Sequence, residues 1–271
     1  MKLLQKLIAC LCLLILTAKA DAQTTITLAS IPAPGTYVVN TNGSTGNVQA
    51  GDSGAGLIWD YRTVLHGLTR DTTYYMLPSA TPYAGQLGNA ANFASLSGFQ
   101  YQFYNRNATQ FALSAVIADA GIPGITNLTF KLNPTFTLLR FPATYGNTYH
   151  TVSKASYAFP IDSATVAQLG SPVPLDSIKV ELTLTGDSRI NGSGELLLPG
   201  PGEEYPCLRQ QIKETTTQKI YGYTYIVLFG NRFYTWIALP IDIPGFTQTY
   251  INYWTPAKTA PVLSMLTDSA G

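Results

Sequence analysis

Hydrophobic and polar residues along this chain alternate with a period of two, and helical spacing is nearly absent. In residues 177–185, Val180, Leu182 and Leu184 alternate with Lys179, Glu181 and Thr183. Such a strand buries one face and wets the other, which favours antiparallel sheets. Similar runs recur along the chain, punctuated by Gly, Pro and Asn. They predict strands at residues 24–29, 36–40, 56–61, 99–104, 110–117, 128–132, 151–159, 177–185, 194–198, 208–220, 221–229, 232–239, 249–254 and 261–266. Residues 77–94 lack periodicity and read as a surface loop, and residues 162–169 alone suggest a turn or two of helix. Many strands without crossover helices predict an all-β, antiparallel β-sandwich. It is either one body or two packed β-subdomains divided near residues 171–175, where Pro172 and Pro174 interrupt the pattern.

The clearest local expectation is a hairpin. Residues 221–229 and 232–239 flank Gly230-Asn231, and Gly in first place suits a type II′ two-residue turn. That turn would set Phe229 opposite Arg232, Val227 opposite Tyr234, Tyr225 opposite Trp236 and Tyr223 opposite Ala238. One face would carry Ile226, Leu228, Phe233, Ile237 and Leu239 as aliphatic core. The other gathers Tyr223, Tyr225, Phe229, Tyr234 and Trp236. Aromatic faces in sandwiches usually pack against a second layer, and that is the first expectation here. Left open, Tyr223, Tyr225, Tyr234 and Trp236 would form a platform able to stack on sugar rings, and these four are the candidate ligand-binding residues.

The first residues bear on location. Lys2 and Lys6 form a basic segment, residues 7–17 are apolar, and Ala20-Asp21-Ala22 places small residues where a signal peptidase reads them. The expected signal peptide is residues 1–22, with residues 23–271 as the mature β-sandwich region. The apolar run is shorter than the roughly 20 residues of a membrane-spanning helix. Leu7-Ile8-Ala9-Cys10 matches a lipobox, but the apolar run continues past Cys10, so ordinary secretion is expected over lipidation. Removing Lys2, Lys6, Lys19 and Asp21 leaves 13 basic against 14 acidic residues without a run of either sign. Nucleic-acid binding, which needs a basic face, is not expected. Charged residues are 11% of the chain against about 25% in an average domain, with Thr, Ser, Asn, Gly and Tyr in their place, as in extracellular β-proteins. Cys207 is left without a partner cysteine and is expected to be a small buried apolar residue.

Gly51-Asp52-Ser53-Gly54 spells the tetrapeptide that surrounds the nucleophile of many serine hydrolases. A serine nucleophile needs a base within reach and a group to orient it. The two histidines, His66 and His150, fall in the order of neither the chymotrypsin-like nor the GDSL-type template. The motif therefore reads as a turn leading into a strand. No second Asp-Ser/Thr-Gly exists for an aspartic protease. Two distant histidines and one cysteine give no zinc spacing. No cofactor is expected; calcium is allowed by the abundant Asp and Asn, with no site assigned. A glycosidase needs two carboxylates across a cleft. Glu195, Glu203 and Glu204 are the acids that could supply them, on a strand running into a Gly/Pro turn.

Sequons occur at Asn42, Asn107, Asn127 and Asn191, and Asp71-Thr72-Thr73, Asp162-Ser163-Ala164, Asp176-Ser177-Ile178 and Asp268-Ser269-Ala270 match the O-glycosylation acceptor pattern of Bacteroidetes envelope proteins. Gly54-Ala55-Gly56-Leu57-Ile58-Trp59-Asp60 resembles the G-x-x-x-T-W-D-F entry of many secreted Bacteroidetes proteins. The segment from Glu195-Leu196-Leu197-Leu198-Pro199 through Tyr205 to Leu208-Arg209, followed by Lys213-Glu214-Thr215-Thr216-Thr217, resembles their L-P-x-G-x-Y-x-x-x-L-R…T-T-T segment. Those proteins usually carry a type IX secretion sorting domain, which is not visible up to Gly271. The resemblance implies export and supplies no catalytic residues. The expected function is a secreted or cell-envelope β-sandwich binding or structural module, with a glycan or a surface protein as partner and no membrane span in the mature chain. The rival is a secreted glycan hydrolase using carboxylates near Glu195 and Glu204.

Overall fold

In a computed structural model, described residues are 24–43, 48–64, 69–98, 100–118, 127–162, 166, 174–241 and 243–267. The expected signal peptide, Cys10, His66, residues 171–173, most of the 162–169 segment and the Asp268 motif lie outside them. The fold is all-β and sandwich-like. Thirteen strands follow in order: β1 (Tyr37–Asn42), β2 (Gly54–Asp60), β3 (Thr69–Met76), β4 (Phe93–Ser97), β5 (Gln100–Arg106), β6 (Gln110–Ala118), β7 (Leu128–Arg140), β8 (Thr148–Pro160), β9 (Ser177–Leu197), β10 (Glu204–Leu228), β11 (Asn231–Ala238), β12 (Phe246–Trp254) and β13 (Leu263–Thr267).

Two stretches of this sheet pack on each other. The antiparallel run β1-β3-β4-β5-β6-β7 meets the run β8-β9-β10-β12-β13 through one β7–β8 pair, Asn133 with Lys154. The space between them is apolar. Phe93, Tyr104, Leu113, Phe130, Leu132 and Phe136 of the first run pack with Ile178, Val180, Leu182, Leu184 and Ile220 of the second. The alternation read in residues 177–185 supplies this core directly.

Strands β9 and β10 are far longer than the sequence pattern suggested. β10 joins two predicted strands that abut at Ile220 and Tyr221, and β9 joins two because core positions between them are filled by small or polar residues. Gly186 sits under Phe136, whose ring lies 2.4 Å from where a Cβ would be. Ser188 is held by buried Gln210, whose Nε2 lies 2.9 Å from Ser188 Oγ and 2.6 Å from the Leu138 carbonyl. Gln210 Oε1 accepts from Trp254 Nε1 at 2.8 Å. These buried polar groups are satisfied, so the strand runs on.

The β9–β10 ladder has one register break, between Arg209 and Gln210. Ile190 pairs with Gln210 and Gly192 with Arg209, leaving Asn191 as the extra residue of a bulge. Asn191 Oδ1 accepts from Arg209 Nη1 at 2.6 Å and its Nδ2 donates to Gln211 Oε1 at 2.9 Å. The amide of this sequon is therefore engaged within the folded chain. Past the bulge, β2 adds to β9 in parallel, where β8 no longer pairs. Gly194 permits this approach: a Cβ there would fall 2.0 Å from the Leu57 carbonyl oxygen.

Several expectations need correction. Strands β3 and β4 were not legible, and the segment read as a surface loop carries a 3₁₀ turn (Pro78–Ala80) and a helical turn α1 (Ala84–Leu87) before β4 begins. Leu87 and Ala91 there pack with Phe103 and Ala115 on the outer side of the first run. Residues 24–29 form one bridge, Ile26 with Ala143, followed by a 3₁₀ turn. The β10–β11 hairpin turns at Phe229-Gly230, not Gly230-Asn231. Leu228 pairs with Asn231, Val227 with Arg232, Tyr225 with Tyr234 and Tyr223 with Trp236. Phe229 and Gly230 both have positive φ, 52° and 77°, the mark of a type I′ turn. The shift moves every partner by two residues, so the two faces keep their membership, except that Phe229 leaves the aromatic face for the turn.

Two stability predictions follow from these close approaches. Gly194→Ala should destabilise the protein by about 1–3 kcal/mol by forcing β2 away from β9, read as a lower urea midpoint. Phe229→Asn should raise stability by about 1 kcal/mol, because Asn accepts the left-handed conformation that a bulky residue resists. A thermal melt of the two proteins checks it.

Candidate functional site

The outer face of the β9–β10 sheet, away from the core, is closed at one end and open at the other. At the closed end, Trp59, Tyr61, Leu196, Tyr205, Cys207, Ile251 and Tyr253 form a buried cluster. Residues 48–54 cover it. Trp59 Nε1 donates to the Asp52 carbonyl at 3.0 Å, Arg209 Nε donates to the Ala50 carbonyl at 3.2 Å, and Tyr253 Oη donates to the same carbonyl. Burial raises the phenol pKa of both Tyr61 and Tyr253. The Gly-Asp-Ser-Gly motif thus belongs to a cover over aromatic side chains. Gly51 has φ of 70°, and a Cβ on it would fall 2.5 Å from Trp59 Cδ1. His150 Nδ1 lies 2.8 Å from Asp187 Oδ1 on the exposed β8–β9 surface.

At the open end the hairpin presents its aromatic face. Tyr223 and Trp236 face each other with ring centres 5.0 Å apart, and Tyr223 stacks on Tyr234 at 5.7 Å and 25°. Tyr225 and Tyr234 follow at 5.8 Å. The structure therefore brings all four predicted residues together. Among the described residues, no second layer buries them. Tyr234 is 50% exposed, Tyr223, Tyr225 and Trp236 are half-buried, and none belongs to a buried cluster among the described residues. The opposite face is not continuous aliphatic core either: Ile226, Leu228 and Phe233 are exposed, and Leu239 is packed against the core. The cause is length. Strand β9 stops pairing at Tyr223 and β12 at Thr216, so the end of the hairpin extends past its neighbours.

Three charged residues belong to this face that composition did not mark. Lys179 pairs across from Tyr221, and its Nζ lies 4.4 Å from the Tyr221 ring centre and 5.3 Å from that of Trp236. It also lies 2.8 Å from Glu181 Oε1. That contact, with a hydrogen bond from Tyr221, holds the Glu181 carboxyl below its ordinary range, and Glu181 in turn raises the Tyr221 phenol. Arg232 lies 4.5 Å over the Tyr225 ring. The alternation that buried Val180 and Leu182 was the available signal, since it had to place Lys179 and Glu181 outward. Only the full β9–β10 register shows which tyrosines they meet.

The face continues into a groove of about 610 Å³. Glu181 and Tyr221 lie at its aromatic end, Ser156, Thr183 and Thr217 line it, and Lys131, Lys154 and Lys219 add positive charge. A second, larger cleft of about 1810 Å³ opens between β1 and β13, with residues 48–52 and Arg209 in its lining.

The three acids near the β9–β10 turn do not all lie on one face. Strand alternation puts Glu195, opposite Pro206, on the same face as Glu204, opposite Leu197, and both are exposed. Glu203 lies on the other face, where Tyr205 Oη donates to it. Among the described residues, no group of three or more His, Cys, Asp or Glu side chains comes together. No described helix is long and apolar enough to cross a membrane.

Cys207 is fully buried, and burial pushes its thiol up to about 12. At about pH 9 a free thiol with a pKa near 8.5 is largely ionised, whereas Cys207 stays protonated. Native protein should therefore resist a thiol-reactive dye at that pH and react fully once denatured. Because the folded value is raised, the stabilisation tied to the neutral thiol is complete below about 8.5 and declines as pH climbs toward 12. No protein-family model, curated protein or solved structure matches the chain, so its function is read from its own geometry.

Proposed function

We propose that this chain is a secreted or cell-envelope binding module that holds a glycan on the open face of its β9–β10–β11 sheet. The observation that carries the reading is the half-open Tyr223–Tyr234–Trp236 stack, bordered by the Lys179–Glu181 pair and continuous with the Ser/Thr/Lys-lined groove. Aromatic rings accept the apolar face of a sugar, while hydroxyls, an ammonium and a carboxylate at their border can bond its hydroxyl groups. Lys131, Lys154 and Lys219 outnumber Glu181 in the groove, which favours a glycan bearing carboxylate or sulfate groups. The basic and apolar segments at the start of the sequence, together with the low charge content, support export. The Bacteroidetes-like motifs support a cell-surface or extracellular setting.

Binding to an array of acidic and neutral glycans tests the reading. The unsubstituted protein should retain acidic glycans, and Trp236→Ala should weaken the best of them by about tenfold or more, equivalent to about 1.4 kcal/mol. A protein that binds nothing across the array would contradict it. Reducing-sugar release abolished by Glu195→Gln would instead favour the hydrolase.

A further inference from the structure

The end of the β10–β11 hairpin carries a second feature, which begins where the aromatic stack ends and borders on it. Beyond Thr224, residues 225–228 and 231–234 pair, among the described residues, only with each other. At about 3.3 Å per residue, this ribbon projects about 13 Å from the sheet. Apart from Asn231 and Arg232, its side chains are apolar or aromatic on both faces and at the tip. Ile226 and Phe233 are exposed on one face, Val227 and Tyr234 on the other, and Leu228 and Phe229 at the tip. Phe229 is 102% exposed at a positive φ that it adopts with strain. Between Lys219 and Asp242 the sequence has one charged residue, Arg232.

We infer that this hairpin tip docks into the interfacial region of a lipid bilayer bearing anionic headgroups. Three observations select a bilayer over a protein partner. First, a protein surface covers one face of a ribbon, or extends one edge, and leaves the remaining apolar side chains in water. A bilayer surrounds the tip on all sides without a shaped pocket. Second, the side chains are graded along the ribbon. Leu228 and Phe229 lead, Ile226, Val227 and Phe233 follow, and Tyr225, Tyr234, Tyr223 and Trp236 form a collar behind them. Tyr and Trp prefer the membrane–water boundary, with an apolar ring and a polar edge. Third, the one charge on the ribbon is a cation: Arg232 pairs with Val227, but its guanidinium lies back over the Tyr225 ring, at the level of the collar, where a headgroup phosphate would meet it.

The backbone limits the depth. The outer edges of a two-stranded ribbon have unpaired N–H and C=O groups, which hydrocarbon does not tolerate. Penetration therefore stops at the roughly 5–10 Å of an interfacial element, within the reach of the ribbon. The chain is held at a membrane surface without spanning it.

The test is flotation of the mature region, residues 23–271, with sugar-free vesicles of phosphatidylcholine containing about 30% phosphatidylglycerol. The unsubstituted protein should float with the vesicles. Leu228→Ser with Phe229→Ser should lower partitioning by about tenfold or more. Arg232→Gln should weaken binding to these vesicles and leave binding to phosphatidylcholine alone unchanged. Phe229→Asn separates docking from folding, since it should melt higher yet float less. Failure of the unsubstituted protein to float, or equal flotation of the Ser variant, would overturn the inference. So would self-association of the chain, abolished by the Ser variant, in the absence of vesicle binding. The vesicles carry no glycan and the array carries no lipid, so either reading can fail while the other stands.

Discussion

The structure depends on the β9–β10 ladder and on the bulge at Asn191 within it. From Tyr223–Ser177 to Gln210–Ile190 the ladder presents a strict alternation, with one face to the core and one outward. The extra residue then reverses the parity of β9 against β10. Gly192, Gly194 and Leu196 come to the outer face, where the odd-numbered Arg209, Cys207 and Tyr205 already point. The change from side chain to hydrogen at Gly192 and Gly194 is what admits Trp59 and β2. One inserted residue thus creates a second small core on the far side of the sheet, and Asn191 holds the bulge through Arg209 and Gln211.

The two ends of this outer face consequently behave differently. Around Trp59 the glycines let a strand and the 48–54 segment close over the aromatics, and their polar edges are bonded to backbone carbonyls. Around Trp236 no such segment lies among the described residues. Lys179, Glu181 and Arg232 lie at the edges and over the rings of Tyr221, Tyr225 and Trp236, where exposed charge costs little desolvation. The same residue types, Tyr and Trp, serve as core at one end and as a wet surface at the other. The difference lies in what the neighbouring strand can bring near them.

Much of the fold was legible because burial follows period two wherever Val, Ile or Leu fills the core position, as at Val180, Leu182 and Leu184. Legibility failed where the core position is filled from elsewhere. Gly186 and Ser188 look like a break in β9 because Phe136 and Gln210, distant in sequence, complete them. The hairpin register failed for a different reason. Gly in first place suits a type II′ turn and a Phe in the left-handed region is unfavourable locally, but pairing of Val227 with Arg232 and Tyr225 with Tyr234 overrides that preference. Membership of the aromatic face survived because a shift of two residues preserves side. Its openness was not legible, because exposure depends on where β9 and β12 stop, and strand ends are set by partners.

The central claim is that one sheet face is closed over Trp59 and open over Trp236, and the three tryptophans permit a direct measurement. Trp59 and Trp254 are buried at 3% and 6% exposure, and Trp236 is half-buried. Acrylamide quenching of the native protein should reveal one accessible component, which Trp236→Phe removes. Equal quenching of Trp59, or a Trp236 that acrylamide does not reach, would contradict it.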